Sequence, residues 1–126
     1  MKFQPDVLGV QSISSYGEDW VGVGQEKISA SFVLSSRGER FDWNCEAFED
    51  LTPEHFLKLA ELQTELVIFG SGQKIRFPNP AWIRPLIERQ TGVETMDVQA
   101  ACRTYNILAS EGRHVAVALL LERKSA

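Results

Sequence analysis

Apolar residues recur along this chain in short runs, and the period of the pattern changes from two to nearly four and back again. In the first third Ile28, Ala30, Phe32 and Leu34 alternate against Ser29, Ser31 and Val33, which predicts a half-buried strand over residues 27–34. Residues 13–16 share the β-rich composition. The Ser36-Arg37-Gly38 sequence then turns the chain, and Phe41 and Trp43 fall on one face of a return strand. Residues 30–44 therefore read as a hairpin whose inner side packs on the core. Gly17, Gly22 and Gly24 mark turns or bulges between the early strands.

From residue 52 onward helical spacing takes over. Thr52-Pro53 offers an N-cap followed by a proline whose missing N–H is harmless in a first turn, and Phe56, Leu59, Ala60 and Leu62 follow near helical spacing. A short apolar strand is expected at 65–69. Asn79-Pro80 predicts a second helix start of the same kind, with Trp82, Ile83, Leu86 and Ile87 apolar and Gly92 as its stop. A strand at 93–96 leads to a third helix, capped by Asp97 and ending near Gly112, and residues 115–121 form the last strand. The strands at 66–69, 93–96 and 115–121 are expected to be neighbours in one sheet. The order predicts a three-layer α/β fold: a central mixed, largely parallel sheet, helices on its faces and an added N-terminal β-hairpin layer.

Composition bounds this picture. With 126 residues, 44% apolar and 24% charged, the expectation is one domain over 1–126 with an ordered core at about 13–121. No apolar run approaches the roughly 18 residues of a membrane-spanning helix. Cys45 and Cys102 stand in strand-like and helix-like contexts without a secretion signal, so reduced thiols and no disulfide are expected. The net charge of −4 divides unevenly: residues 1–63 hold five Lys or Arg against eleven Asp or Glu, a balance of −6, and residues 64–126 hold eight against six, a balance of +2. That surplus is too sparse to neutralise several phosphates together, so no nucleic-acid partner is expected.

Two motifs exceed what a packed core requires. Leu66-Val67-Ile68-Phe69 runs into the glycine turn Gly70-Ser71-Gly72, and Asp97-Val98-Gln99-Ala100-Ala101 leads into Cys102-Arg103-Thr104-Tyr105-Asn106 and then Glu111-Gly112-Arg113. On these residues the chain resembles an uncharacterised family of single-domain proteins of bacteria, archaea and eukaryotes. Its mitochondrial branch is an assembly factor of respiratory complex I (the NADH dehydrogenase alpha-subcomplex). The resemblance covers residues 13–121 and implies a three-layer α/β fold and, for the mitochondrial branch, an assembly or interaction role. The chain starts at Met1 with a short leader that is not the Arg-rich, Ser-rich presequence of mitochondrial import, which points to a bacterial, cytoplasmic member.

In an open α/β sheet ligands gather beyond the carboxyl ends of the parallel strands. The candidate anion or ligand cleft there comprises Gly70, Ser71, Gly72, Asp97, Arg103 and Asn106. Its glycines either admit a ligand to the backbone or simply let the chain turn. Arg103 with the amides of residues 70–72 is expected to form a weak anion site. Asp97 reads first as an N-cap, and Ala100, Ala101 and Cys102 let the helix lie close to the sheet. A helix N-terminus and Arg103 favour a Cys102 thiolate, yet no base completes a reactive pair, so Cys102 is expected to be chemically quiet.

Other chemistries find no support. A dinucleotide fingerprint would need glycine where Ile75 stands, no Gly-Lys-Ser or Gly-Lys-Thr occurs, and Ser71 lacks a nucleophile elbow. His55 and His114 have no metal-ligand spacing, and pairs such as Glu49-Asp50 read as solvated charges. No catalytic residue, metal or cofactor is therefore expected. A candidate partner surface gathers Phe77, Pro78, Trp82 and Arg84, and the acidic run at 46–50 either meets a basic partner or solvates a loop. The expectation is a non-catalytic binding protein, an assembly or scaffolding factor for a membrane-associated complex with a protein partner and no transmembrane segment. The alternative is a small-molecule or anion binder, or an enzyme, using the cleft.

Overall fold

Two sheets of different character organise residues 12–122, the part of the chain that the computed structural model describes. The smaller is an antiparallel meander of β1 (Ile13–Tyr16), β2 (Val21–Val23) and β3 (Glu26–Ile28). The larger contains β4 (Phe32–Ser35), β5 (Arg40–Asp42), β6 (Leu66–Gly70), β7 (Gly92–Met96) and β8 (Val115–Leu119) in the order β5-β4-β8-β6-β7. It is a mixed sheet: β6 runs parallel to both β7 and β8, and β4 runs antiparallel to β5 and β8. The three strands expected to be neighbours all lie in it, with β6 between the other two.

The N-terminal third is divided differently from the alternation pattern. Residues 27–34 are not one strand, because the chain leaves the meander after Ile28 and enters the large sheet at Phe32. Ser31 anchors the step: its carbonyl accepts from Trp43 N at 3.0 Å and its Oγ accepts from Leu121 N at 2.8 Å. All four residues of β4 are buried, as a strand paired on both sides and covered on both faces must be. The hairpin at residues 30–44 thus belongs to the central sheet, and the meander β1–β3 supplies the added layer.

Each face of the large sheet has its own core, and β8 shows how. Val115, Val117 and Leu119 face α3 (Val98–Ser110) and the meander, together with Ile68, Ala101 and Tyr105. Ala116 and Ala118 face the other way, among Trp43, Phe56 and Phe69. Small residues are needed there because those rings meet edge to face, Trp43 lying 5.6 Å from Phe56 and 5.8 Å from Phe69 between centroids. This second face is covered by the 3-10 turn Phe48–Asp50, by α1 (Pro53–Ala60) and by α2 (Arg84–Glu88).

The helix ends follow from local chemistry. Thr52 precedes α1 with Pro53 in its first turn, and His55 closes a box in which Nδ1 accepts from Thr52 N at 3.1 Å. Since His55 Nε2 lies 3.1 Å from the Asn44 carbonyl, which can only accept, the ring carries its proton on Nε2. Asn79-Pro80 does not start a helix. The Asn79 carboxamide accepts from Ala81 N at 2.9 Å in a local turn, and α2 is a short helix that begins at Arg84. Nor does Gly92 stop it. Gln90, at φ 59°, holds the left-handed position, with Gln90 N bonded to Ile87 O and Thr91 N to Leu86 O, while Gly92 opens β7.

Candidate functional site

The carboxyl ends of β6 and β8 meet the start of α3, and their geometry begins with two glycines. A Cβ on Gly70 would lie 2.8 Å from Leu119 Cδ2, 3.2 Å from Ala101 Cβ and 3.3 Å from Val98 Cα, so Gly70 lets α3 approach the sheet. Gly72 has φ +114°, and a Cβ there would lie 2.7 Å from Arg76 Nη2. Between them Ser71 is buried and fully used: its Oγ donates to Lys74 O at 2.8 Å and accepts from Arg76 N at 2.8 Å. Asp97 caps α3, its Oδ1 accepting from Ala100 N at 2.9 Å.

An ion pair spans the mouth of this region. Arg76 Nη2 donates to the Ser71 carbonyl at 2.8 Å and to Glu122 Oε1, and its guanidinium carbon lies 4.7 Å from the Phe48 ring centroid. Glu122 Oε2 accepts from Phe48 N at 2.9 Å. Burial pushes the Glu122 pKa up, but the hydrogen bonds from Arg76 and the Phe48 amide, with the Arg76 charge, outweigh it and leave the net shift downward. The pair borders an open cleft of about 550 Å³ whose lining includes Gly72, Lys74, Arg76, Val98, Glu46 and Glu122. Its walls carry both signs of charge.

The residues singled out in the sequence divide between two faces. Gly70, Ser71, Gly72 and Asp97 come together at this end of the sheet. Arg103 and Asn106 do not join them, because their side of α3 faces the meander. Asn106 clamps β1, its Oδ1 accepting from Ile13 N at 2.9 Å and its Nδ2 donating to Ile13 O at 2.7 Å. Arg103 is exposed, with Nη1 donating to the Tyr16 hydroxyl at 3.3 Å, a contact that raises its pKa. Cys102 is fully buried, and burial lifts its pKa to about 12 against the lowering effect of Arg103, with Asp97 adding to the rise. Desolvation thus outweighs the pull of the Arg103 charge toward thiolate.

The expected partner surface is likewise split. Trp82 is half-buried in the aromatic core, 5.5 Å from Phe48 and stacked on Phe56 at 6.1 Å between centroids, whereas Phe77 is 74% exposed. Arg84 is exposed at the first position of α2, and Pro78 is partly covered. Ile75 is 53% and Ile87 60% exposed. The acidic run is also divided, since Phe48 packs inward while Glu49 and Asp50 face solvent. Among the described residues no cluster of His, Cys, Asp or Glu could hold a metal ion, and no helix is long and apolar enough to cross a membrane.

Residues 13–120 match a family described as a protein of unknown function (DUF498/DUF598). The chain belongs to this family. A crystal structure of a protein from Bordetella parapertussis is 34% identical and covers 93% of this chain and 100% of its own, with a TM-score of 0.86. The solution structure of a Bordetella pertussis protein described as an Mth938-like domain is 29% identical, covering 99% of this chain and 95% of its own with a TM-score of 0.84. Among curated proteins, NADH dehydrogenase [ubiquinone] 1 alpha subcomplex assembly factor 3 of Bos taurus is 34% identical over 80 residues, which are 62% of this chain. The matched part spans only 44% of that relative's length.

Sequence reasoning missed Arg76 and Glu122. Their pairing crosses 46 residues of chain, and neither belongs to a recognisable motif. The one available signal was a cation a few residues beyond a glycine turn.

Proposed function

We propose that this protein works by binding, as an assembly or scaffolding factor for a membrane-associated protein complex, from the cytoplasmic side and without chemistry of its own. The observation that carries this reading is the set of exposed apolar side chains on α2 and on the segment joining β6 to α2. Ile75 and Phe77 flank the inward-facing Arg76, and Ile87 lies outward on α2 while Leu86 is buried. Phe77 at 74% exposure has a large apolar area to desolvate, and Arg84 lies three residues before Ile87 on the same turn. Curated relatives named as assembly factors of a respiratory complex support the same class of role. Affinity capture from native cells followed by mass spectrometry tests it: subunits of a membrane complex are expected with the wild-type protein and are lost with Phe77→Ser. Equal recovery with the variant, or no specific protein, would sink the reading.

A second reading rests on the cleft of about 550 Å³ beside Gly72 and Val98. There Arg76 takes the cationic role first given to Arg103, although Glu122 already engages it. An anion or metabolite retained in native mass spectrometry, with amide shifts at Gly72 and Lys74 on phosphate titration, favours this reading.

A further inference from the structure

The free edge of the large sheet lies at β7, and its hydrogen-bonding parity can be worked out. β7 ends the strand order and pairs only with β6. In a parallel pair alternate residues turn both backbone groups toward the same neighbour. Gly92 N donates to Glu65 O at 3.0 Å and Met96 O accepts from Ser71 N at 2.9 Å, so Gly92, Glu94 and Met96 face β6. Val93 and Thr95 therefore aim their N–H and C=O groups outward. Among the described residues nothing bonds to those outward groups, and Val93 and Thr95 are only partly covered. An unpaired strand edge is a template for another strand.

The side chain between them selects what can add. Glu94 is exposed and has no ion-pair or hydrogen-bond partner among the described residues. The two-fold antiparallel register that uses the outward groups of both Val93 and Thr95 pairs each with the other of the partner copy and sets the two Glu94 carboxylates opposite each other, with Cα atoms about 4.5 Å apart. Like charges there oppose self-pairing, as edge charges do in other sheets. A segment with Lys or Arg at that place meets the carboxylate instead.

We infer that β7 is a docking edge for an extended segment of a partner protein, added antiparallel through Val93 and Thr95, with a basic residue opposite Glu94. This rests on the binding role proposed above and names a surface for it distinct from Phe77. The probe is a five-residue synthetic peptide, Thr-Val-Lys-Val-Thr, blocked at both ends, against a twin with Glu at the centre. With the full chain, the Lys peptide is expected to shift and protect the Val93 and Thr95 amides in NMR titration. It should bind about two- to twentyfold tighter than the Glu peptide, the range for exchanging an attractive for a repulsive cross-strand pair. Glu94→Lys should reverse the preference.

Equal binding of the two peptides, shifts confined to other sites, or no shift at millimolar peptide would overturn the assignment. So would protection of Val93 and Thr95 that grows with protein concentration alone, since the occupant would then be a second copy. If cellular capture succeeds with Phe77 intact while the peptides fail, the edge is refuted and the binding role stands. Failure of capture with success of the Lys peptide separates the two in the opposite sense.

Discussion

Gly70→Ala is the substitution that best distinguishes close packing from ligand access as the reason for the glycine turn. Gly70 lies in a strand with no left-handed φ, so alanine meets no backbone strain and would by itself stabilise the fold by about 0.4–1 kcal/mol through the unfolded chain. The added Cβ, however, meets Leu119 Cδ2 at 2.8 Å, Ala101 Cβ at 3.2 Å and Val98 Cα at 3.3 Å. Leu119 can rotate its methyl away. Val98 Cα and Ala101 Cβ belong to the first turn of α3 and retreat only if the helix moves by a few tenths of an ångström, disturbing the buried packing of Cys102 and Tyr105. Overpacking of this kind costs about 1–3 kcal/mol, so a net loss of roughly 1–2 kcal/mol is expected after the entropic gain. With a urea slope of about 1–2 kcal/mol/M the unfolding midpoint should fall by roughly 1 M. Leu119→Val in the same background should recover part of the loss, giving a favourable coupling in a double-mutant cycle. A midpoint at or above wild type would show that α3 does not rest on Gly70.

Three further outcomes follow from the same structure. Asp97→Ala removes the cap on Ala100 N and should cost about 1 kcal/mol in urea unfolding, with Asp97→Ser recovering most of it. Gln90→Gly relieves a left-handed residue at φ 59° and should raise stability by about 0.5–1 kcal/mol, a result reversed in sign if Gln90 is held by more than its backbone. The Cys102 thiol is raised from an ordinary value of 9.0 to about 12, so the folded state holds its proton more tightly than the unfolded state. Its stabilising contribution is whole below pH 9 and is lost as pH rises from 9 through about 12. Cys102→Ala should flatten that alkaline decline, and a thiol reagent should reach Cys102 only on unfolding; rapid labelling of the native protein would contradict its burial.

What was legible in the sequence was local. Thr52 and Asp97 each act within three residues of chain, through His55 and Ala100, so side-chain type and spacing sufficed. The apolar runs of β6 and β8 were recognisable because both faces are covered. The failures lie where distant residues decide. Alternation through residues 27–34 suggested one strand, but Ser31 is claimed by Trp43 and Leu121, which break it. Arg103 and Asn106 were expected at the cleft, but their side of α3 meets β1, a neighbour 93 residues from Asn106 in the Ile13 contact. The positive φ of Gln90 was hidden because glutamine carries none of the signal that glycine would.

The position of β8 has a consequence for how the protein is made. It is the last strand of the described chain and stands at the centre of the large sheet, between β4 and β6. As synthesis proceeds from the N-terminus, the β4–β5 hairpin and the β6–β7 pair emerge first, as two half-sheets that cannot join. Each exposes an apolar edge, lined by Val33 and Leu34 on one and by Val67 and Ile68 on the other, and such edges invite mispairing. The nascent chain must keep these edges apart until residues 115–119 leave the ribosome, so slowing translation before that point lengthens the interval in which aggregation competes with folding.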